Sequence, residues 1–480
     1  MNNRKTLIAG SIAGALSLPI LLSACGGGGG GGGSSATQPP ATSSTVDDVV
    51  TTNADIGYAA YRDSLLTAQA LRAAIDTFVA IVSPTEQDLQ TVKQAWLDAR
   101  EPYGQTEVYR FRLGPIDSTN GVDEDGPEGQ INGWPLGEAI IDYVVAPPTD
   151  GDENDSGGGN GTYFGSIANN IIADASITLD AATIAAFNEI GDDERNVVTG
   201  YHAIEFLLWG QDLNQGQTVW NSPPRDPSGG QRPVSDFEMS GTGSCTSGAV
   251  VNGSDVPCQR RKDYLQAVTQ LLVEDLQAVV AAWDPNGAGN HYQTFVAGGN
   301  TSLAKMLESM GRLGFGELAG ERIAIALQND SQEDEHSCFS DNTHRDIFLN
   351  ERGIANTFFG SYTSPVDPAN SVDGTGIDDY LNDQGLTGVV TALTSSINAA
   401  VAAAQIVSDK AASGTPFDNQ IASDGNGGSV ANRADVQAVI DALVAQTIGV
   451  QNVVTGLGLT TDDLLQDTEC DLSGPVPVCP

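Results

Sequence analysis

Positive charge is scarce in this chain: lysine and arginine together number 21 against 62 acidic residues, a formal net charge of −41 over 480 residues. A surface of that sign repels nucleic acid and anionic lipid headgroups and draws cations, so nucleic acid is not an expected partner. Cysteine is sparse and never spaced as CxxC, which argues against a thiolate zinc site. The HExxH pattern of many zinc peptidases is absent. Stretches that alternate apolar and polar residues are few, which speaks against a sheet-dominated fold. Only four histidines occur, so the placing of each one carries information.

What is present begins with a leader. Residues 1–24 have a basic start at Arg4 and Lys5, an apolar run to Leu22 and an ending in small residues. The run is short for a spanning helix and reads as a signal peptide. Leu22-Ser23-Ala24-Cys25 resembles the bacterial lipobox, in which the cysteine becomes the lipidated first residue, so Cys25 is the expected lipidation site. Gly26 stands where an inner-membrane retention aspartate would sit. The expectation is an outer-membrane lipoprotein facing periplasm or cell surface, touching the membrane through its N-terminal lipid. An exported chain meets an oxidising compartment. Cys245 with Cys258 would close a Gly/Ser-rich loop, Cys470 with Cys479 would tie down the tail, and Cys338 is left as the odd thiol.

Residues 25–52, with eight consecutive glycines followed by Ser, Thr and Pro, cannot build a core and read as a tether. Beyond them the signal is helical. Tyr61, Leu65, Ala68, Leu71, Ile75, Phe78 and Val82 recur at spacings of three and four, on one face. Ser83-Pro84-Thr85-Glu86 reads as an N-cap, a proline at the first helical position and a returning glutamate, opening a second helix that runs through residues 91–111. The same periodicity returns in Leu265, Val268, Leu272, Leu276, Val279 and Trp283, and in 385–407 and 434–454. The pattern predicts an all-α fold of helix bundles. A polar insertion at 214–257 is the expected boundary between an N-terminal bundle, 53–213, and a C-terminal bundle, 258–457. Another insertion occupies 147–161, and 458–480 form a Cys-containing tail.

The stretch GYHAIEFLLWG, residues 200–210, puts His202 and Glu205 three apart on a helix, projecting from neighbouring turns. In a bundle an imidazole and a carboxylate at that spacing can converge on one cation. The alternative is a buried His hydrogen-bonded to Glu as structural glue. Arg100, Tyr103 and Glu107 share a helix face, so Arg100 could orient Glu107; a structural ion pair is the alternative. Glu138 and Asp142 stand four apart in WPLGEAIIDY, where they could face the same cavity. Glu317, Glu321 and Arg322 read as structural pairing. Glu335, His336, Asp341 and His344 crowd one short stretch with oxygen and imidazole donors, enough for a second cation site, or else for a capped, hydrogen-bonded loop.

Gly200, His202, Glu205, Trp209 and Gly210 together resemble the GxHxxE signature of the imelysin family, the insulin-cleaving metallopeptidase-like proteins. The blocks AWLDAREPYGQTEVYRFRLGPID, EGQINGWPLGEAIIDY and DEHSCFSDNTHRDI look like its iron-regulated lipoprotein branch. The resemblance spans about residues 53–457. It implies two four-helix-bundle-like domains with long loop insertions and a site between them near the GxHxxE helix. It also implies a divalent or ferric metal, iron ahead of zinc, held by His202 and Glu205. Glu107 is the further candidate ligand, with Arg100, Glu138 and Asp142 in support. The expected function is a lipid-anchored metal-binding protein serving iron uptake, with iron-transport components as partners. A metal-dependent peptidase is the alternative, although HAIEF lacks the histidine that would directly follow the glutamate in the inverted zinc motif.

Overall fold

The computed structural model describes residues 43–145, 170–191, 195–213 and 225–462, with 464, 465, 470–472, 474 and 478 of the tail. The leader, Cys25, most of the tether, the 147–161 insertion and Cys479 lie outside the described residues.

Helix α1, Val46–Val79, is opened by a capping box between Thr45 and Asp48. Val49 and Val50 are buried, so residues 46–52, assigned to the tether from sequence, already belong to the helix. Helix α2, Glu86–Tyr103, is capped by Thr85 with Asp88 returning to it. That is two residues later than the Ser83 expectation. Asp88 reaches the Thr85 amide at 2.8 Å, whereas the Ser83 hydroxyl donates to Glu238 at 2.7 Å. The chain then tightens into a 3-10 turn, Gly104–Tyr109, so Glu107 leaves the α2 face.

Short helices α3 (Glu128–Ile131), α4 (Glu138–Ile141) and α5 (Ala181–Ala185) lead to α6, Gly200–Trp209. After it come α7 (Val256–Trp283), α8 (His291–Val296) and α9 (Asn300–Arg312), the last continuing through a π-helical stretch, Leu313–Ala324, into α10 (Ile325–Asn329). The remainder is α11 (Thr343–Phe359), α12 (Ile377–Asp383), α13 (Thr387–Ala412), α14 (Phe417–Ile421) and α15 (Val430–Leu457). Two ribbons of two residues per strand are the named strands among the described residues, and the fold is all-α.

Helix α1 packs on α2 and α7, with α6 against α2 and α7; α13 pairs with α15, beside α11 and the π-helical stretch. Residues 43–480 make one compact unit. The helix following the 214–257 insertion returns to the first group instead of opening the second, because its apolar stripe, Leu265, Leu272, Leu276 and Trp283, is buried with α1 and α6 in one core. A smaller core lies among the π-helical stretch and α13 to α15. Cys245 and Cys258 are bridged as expected, with Cα atoms 5.9 Å apart. Cys470 is disulfide-bonded, and Cys338 is a buried free thiol.

Gly200 starts α6 at φ +75°, and a Cβ there would lie 2.3 Å from the Ile131 carbonyl oxygen. Only glycine fits that turn and that approach. Gly200→Ala should destabilise the protein by about 3 kcal/mol in chemical denaturation; a change below about 0.5 kcal/mol, the range of ordinary surface substitutions, would contradict this packing.

Candidate functional site

Every residue of α6 is buried. The Trp96 indole donates to the Tyr201 carbonyl at 2.9 Å and fixes α6 against α2. On α6, His202 Nδ1 lies 2.8 Å from Glu205 Oε2. The other Glu205 oxygen accepts from the Ser340 amide at 2.9 Å and the Ser340 hydroxyl at 2.6 Å. Both carboxyl oxygens are therefore engaged. Glu205 backs the imidazole on its Nδ1 side, in the position of an outer-shell group, instead of standing beside it as a co-ligand. His202 Nε2 is left buried with no hydrogen-bond partner.

The four residues of the expected second cation site are drawn in different directions. His336 joins His202: the two rings lie 4.6 Å apart, edge to face at 84°. His344 Nδ1 lies 2.9 Å from the Asp341 carbonyl oxygen. Glu335 is buried with neither carboxyl oxygen hydrogen-bonded, and Asp341 sits in a left-handed turn at φ +61°. Trp134 walls the histidine pair, its ring 5.0 Å from that of His202 and 6.2 Å from that of His336.

His336 Nδ1 lies 2.9 Å from Asp346 Oδ2, and Arg100 donates to Asp346 Oδ1 at 2.9 Å. Ser337 also donates to Asp346, and Arg100 also donates to Asn132. Arg100 therefore orients His336 through Asp346, not Glu107 as the sequence suggested. The helix ends at Tyr103, and the turn beyond it carries Glu107 away. Glu107 accepts instead from Arg322 at 2.7 Å and Arg110 at 3.4 Å, while Glu317 accepts from the same two arginines at 2.8 and 3.1 Å. Arg322 and Glu317 project from the π-helical stretch, a form of helix often found at functional sites. Asp142 is bound by Arg232 at 2.8 Å and Arg261 at 2.7 Å. It anchors the insertion instead of sharing a cavity with Glu138, which is buried in the first turn of α4.

Asp346, Ser340 and Trp134 were missed from sequence. A buried arginine requires a buried acceptor, but nothing in the spacing of Arg100 and Asp346 names the pair.

A cleft of about 590 Å³ opens over this cluster, lined among others by Arg110, Glu128, Trp134, Glu317, Arg322 and His336. Burial pushes His202 well below the usual histidine range, with the neighbouring His336 and the Arg100 guanidinium adding to it. Burial lowers His336 to about 4, Arg322 adding to it. Both rings are neutral at neutral pH, the form that ligates metals. Burial opposes ionisation of Asp346, but Arg100 and the His336 hydrogen bond outweigh it and hold the carboxyl well below its ordinary value. Burial raises Glu205 to about 8.

Among the described residues no three His, Cys, Asp or Glu side chains gather as a metal cage. Of the carboxyls sequence reasoning nominated, Glu107 and Asp142 are held by arginines and Glu205 by Ser340. The described residues therefore do not fit a resident metal enclosed by a full set of protein ligands.

Glu205 keeps its proton to about pH 8 in the folded chain but to about 4.5 when unfolded. Between those values unfolding releases a proton, so this group's contribution to stability falls as pH rises, by at most about 1.4 kcal/mol per pH unit. Tm measured from pH 5 to 8 should decline less steeply in Glu205→Gln than in the parent; parallel curves would refute the assignment.

A family model, Imelysin, matches residues 57–450. No curated protein matches the chain. Among solved structures, an iron-regulated protein A precursor from Parabacteroides distasonis ATCC 8503 is similar, with a TM-score of 0.54 at 15% identity, over 87% of this chain and 96% of that one. An imelysin-like protein from Psychrobacter arcticum 273-4 gives a TM-score of 0.52 at 14% identity, over 86% of this chain and 96% of that one. At those identities the two structures establish a shared fold. The family match, running through α1 to α15 and across the GxHxxE helix, places this protein in the imelysin family.

Proposed function

We propose that this protein is a lipid-anchored iron-capture protein, in which iron is cargo held in passing by the His202 and His336 imidazoles at the base of the cleft. The observation that carries this reading is the buried, unpartnered His202 Nε2 beside His336. A buried ring nitrogen with no partner is costly, and binding a cation removes the cost. Imidazole suits iron, zinc and copper alike, and the name of the iron-regulated relative favours iron. Two imidazoles leave most coordination positions to water or a small chelator, as release to transport components requires. The acidic surface raises the local cation concentration. Cys25 and the tether supply the anchor at the outer membrane.

A peptidase would need a bound metal with an open position and a carboxylate base. Glu205 is already committed to His202 and Ser340, so the geometry gives that reading less support.

Iron titration of chelator-stripped protein should show at least tenfold weaker binding in a folded His202→Ala, His336→Ala variant. Unchanged stoichiometry and affinity would overturn the cargo reading; metal-dependent peptide cleavage lost in the same variant would replace it with the peptidase. Intact mass of the mature protein from its native host should include acyl chains on Cys25, and an unmodified mass would contradict the anchor.

A further inference from the structure

A second cavity, of about 1410 Å³, adjoins the cleft over the histidine pair. It exceeds the roughly 300–1,000 Å³ of ordinary small-molecule sites. Arg110, Glu128, Gly129 and Glu189 stand in the walls of both spaces, and the Arg110–Glu128 pair, 3.3 Å apart, is part of the boundary between them. The remaining wall comes from the chain between the 3-10 turn and α3, from α7 through Asp275 and Ala278, and from α9 through Lys305, Glu308 and Arg312.

This wall is held under strain. Phe111 and Leu113 have φ of +63° and +51°, left-handed conformations that bulky side chains rarely adopt. Such residues persist where their surroundings fix them, and they cluster at ligand clamps. The guanidinium groups of Arg110 and Arg312 both lie on the Phe111 ring, 4.9 and 5.0 Å from its centre, and hold it in place.

The charge of the cavity selects among occupants. Eight acidic side chains line it against four basic ones. The basic ones are committed: Arg110 to Glu107, Glu128 and Glu317, Arg112 to Ser309 and Asn53, Lys305 to the Arg112 carbonyl, and Arg312 to Phe111 and Glu308. A space of that balance opposes an anion and admits a neutral or cationic molecule. Among iron chelates the distinction is sharp. Each hydroxamate cancels one charge of ferric ion, so a ferric dihydroxamate remains cationic, whereas citrate and catecholate complexes are anionic. A dihydroxamate is also tetradentate, and it leaves an octahedral iron two open positions, matching the two imidazoles beside the cleft.

We propose that this cavity seats the organic part of a cationic ferric chelate of the dihydroxamate kind, whose metal end faces the His202–His336 pair. The inference rests on the cargo reading and names the form in which the cargo arrives.

The test is equilibrium dialysis of full-length, disulfide-intact protein against radioactive iron as the ferric complex of suberohydroxamic acid, as ferric citrate and as ferrous ion alone. The hydroxamate complex should bind at least tenfold more tightly than ferric citrate. A folded Ala278→Trp variant, which fills the cavity from α7, should bind that complex at least tenfold more weakly and ferrous ion as the parent does. The Asp275→Asn, Glu308→Gln variant, which keeps the volume, should lose at least threefold of the preference over citrate. Hydroxamate binding unchanged in Ala278→Trp, a citrate preference unchanged in Asp275→Asn, Glu308→Gln, or ferric citrate bound as tightly as the hydroxamate complex would overturn the proposal and leave the cargo reading to the ferrous titration. No ferrous binding by the parent, with hydroxamate binding still weakened by Ala278→Trp, would remove the imidazoles as the iron site and support the cavity assignment.

Discussion

The buried carboxylate of Asp346 is the interaction on which the arrangement of this site depends. It receives Arg100 from α2 and both His336 and Ser337 from the loop before α11. Arg100 continues the chain of contacts to Asn132 and lies over the rings of Trp96, Tyr103 and Tyr201. One buried ion pair thereby joins α2, the segment after α3, α6 and α11. Removing one partner of such a pair costs about 3–5 kcal/mol, because the other charge stays buried. Here it would also free His336 to turn away from His202.

The scarce cations of the chain are used inside it. The chain has few cations, and it buries several of them: Arg100, Arg112, Arg232, Arg261 and Arg322 are all inside. Arg232 and Arg261 pin the insertion to Asp142, and Arg322 ties the π-helical stretch to Glu107. Because most of these arginines are matched by buried carboxylates, the excess of 62 acidic over 21 basic residues is left to the surface. That acidity is a field that draws cations toward the molecule.

Local patterns were readable in the sequence, and long-range partners were not. The periodic apolar face of α1, the helical character of 200–210 and the contact of His202 with Glu205 all follow from residues three and four apart. The Ser83 cap was displaced because Asp88 offers Thr85 a reciprocal bond two residues later. Glu107 was placed beside Arg100 by assuming an unbroken helix, and the 3-10 turn after Tyr103 rotates it toward Arg322. His336 looked like a partner of Glu335, Asp341 and His344 because they are near in sequence. The turn around Asp341, at φ +61°, and the pull of Asp346 split the group. Pairs such as Arg100 with Asp346, or Arg232 with Asp142, are separated by far more chain than any helical spacing can signal.

The most direct measurement is a crystal structure of the iron-loaded protein with anomalous data collected at the iron edge. An anomalous peak within bonding distance of His202 Nε2 and the His336 ring, with Glu205 still on His202 Nδ1 and Asp346 still on His336, is the predicted result. Iron bound elsewhere at saturating concentration, or the two rings turned apart around an empty space, would contradict the account.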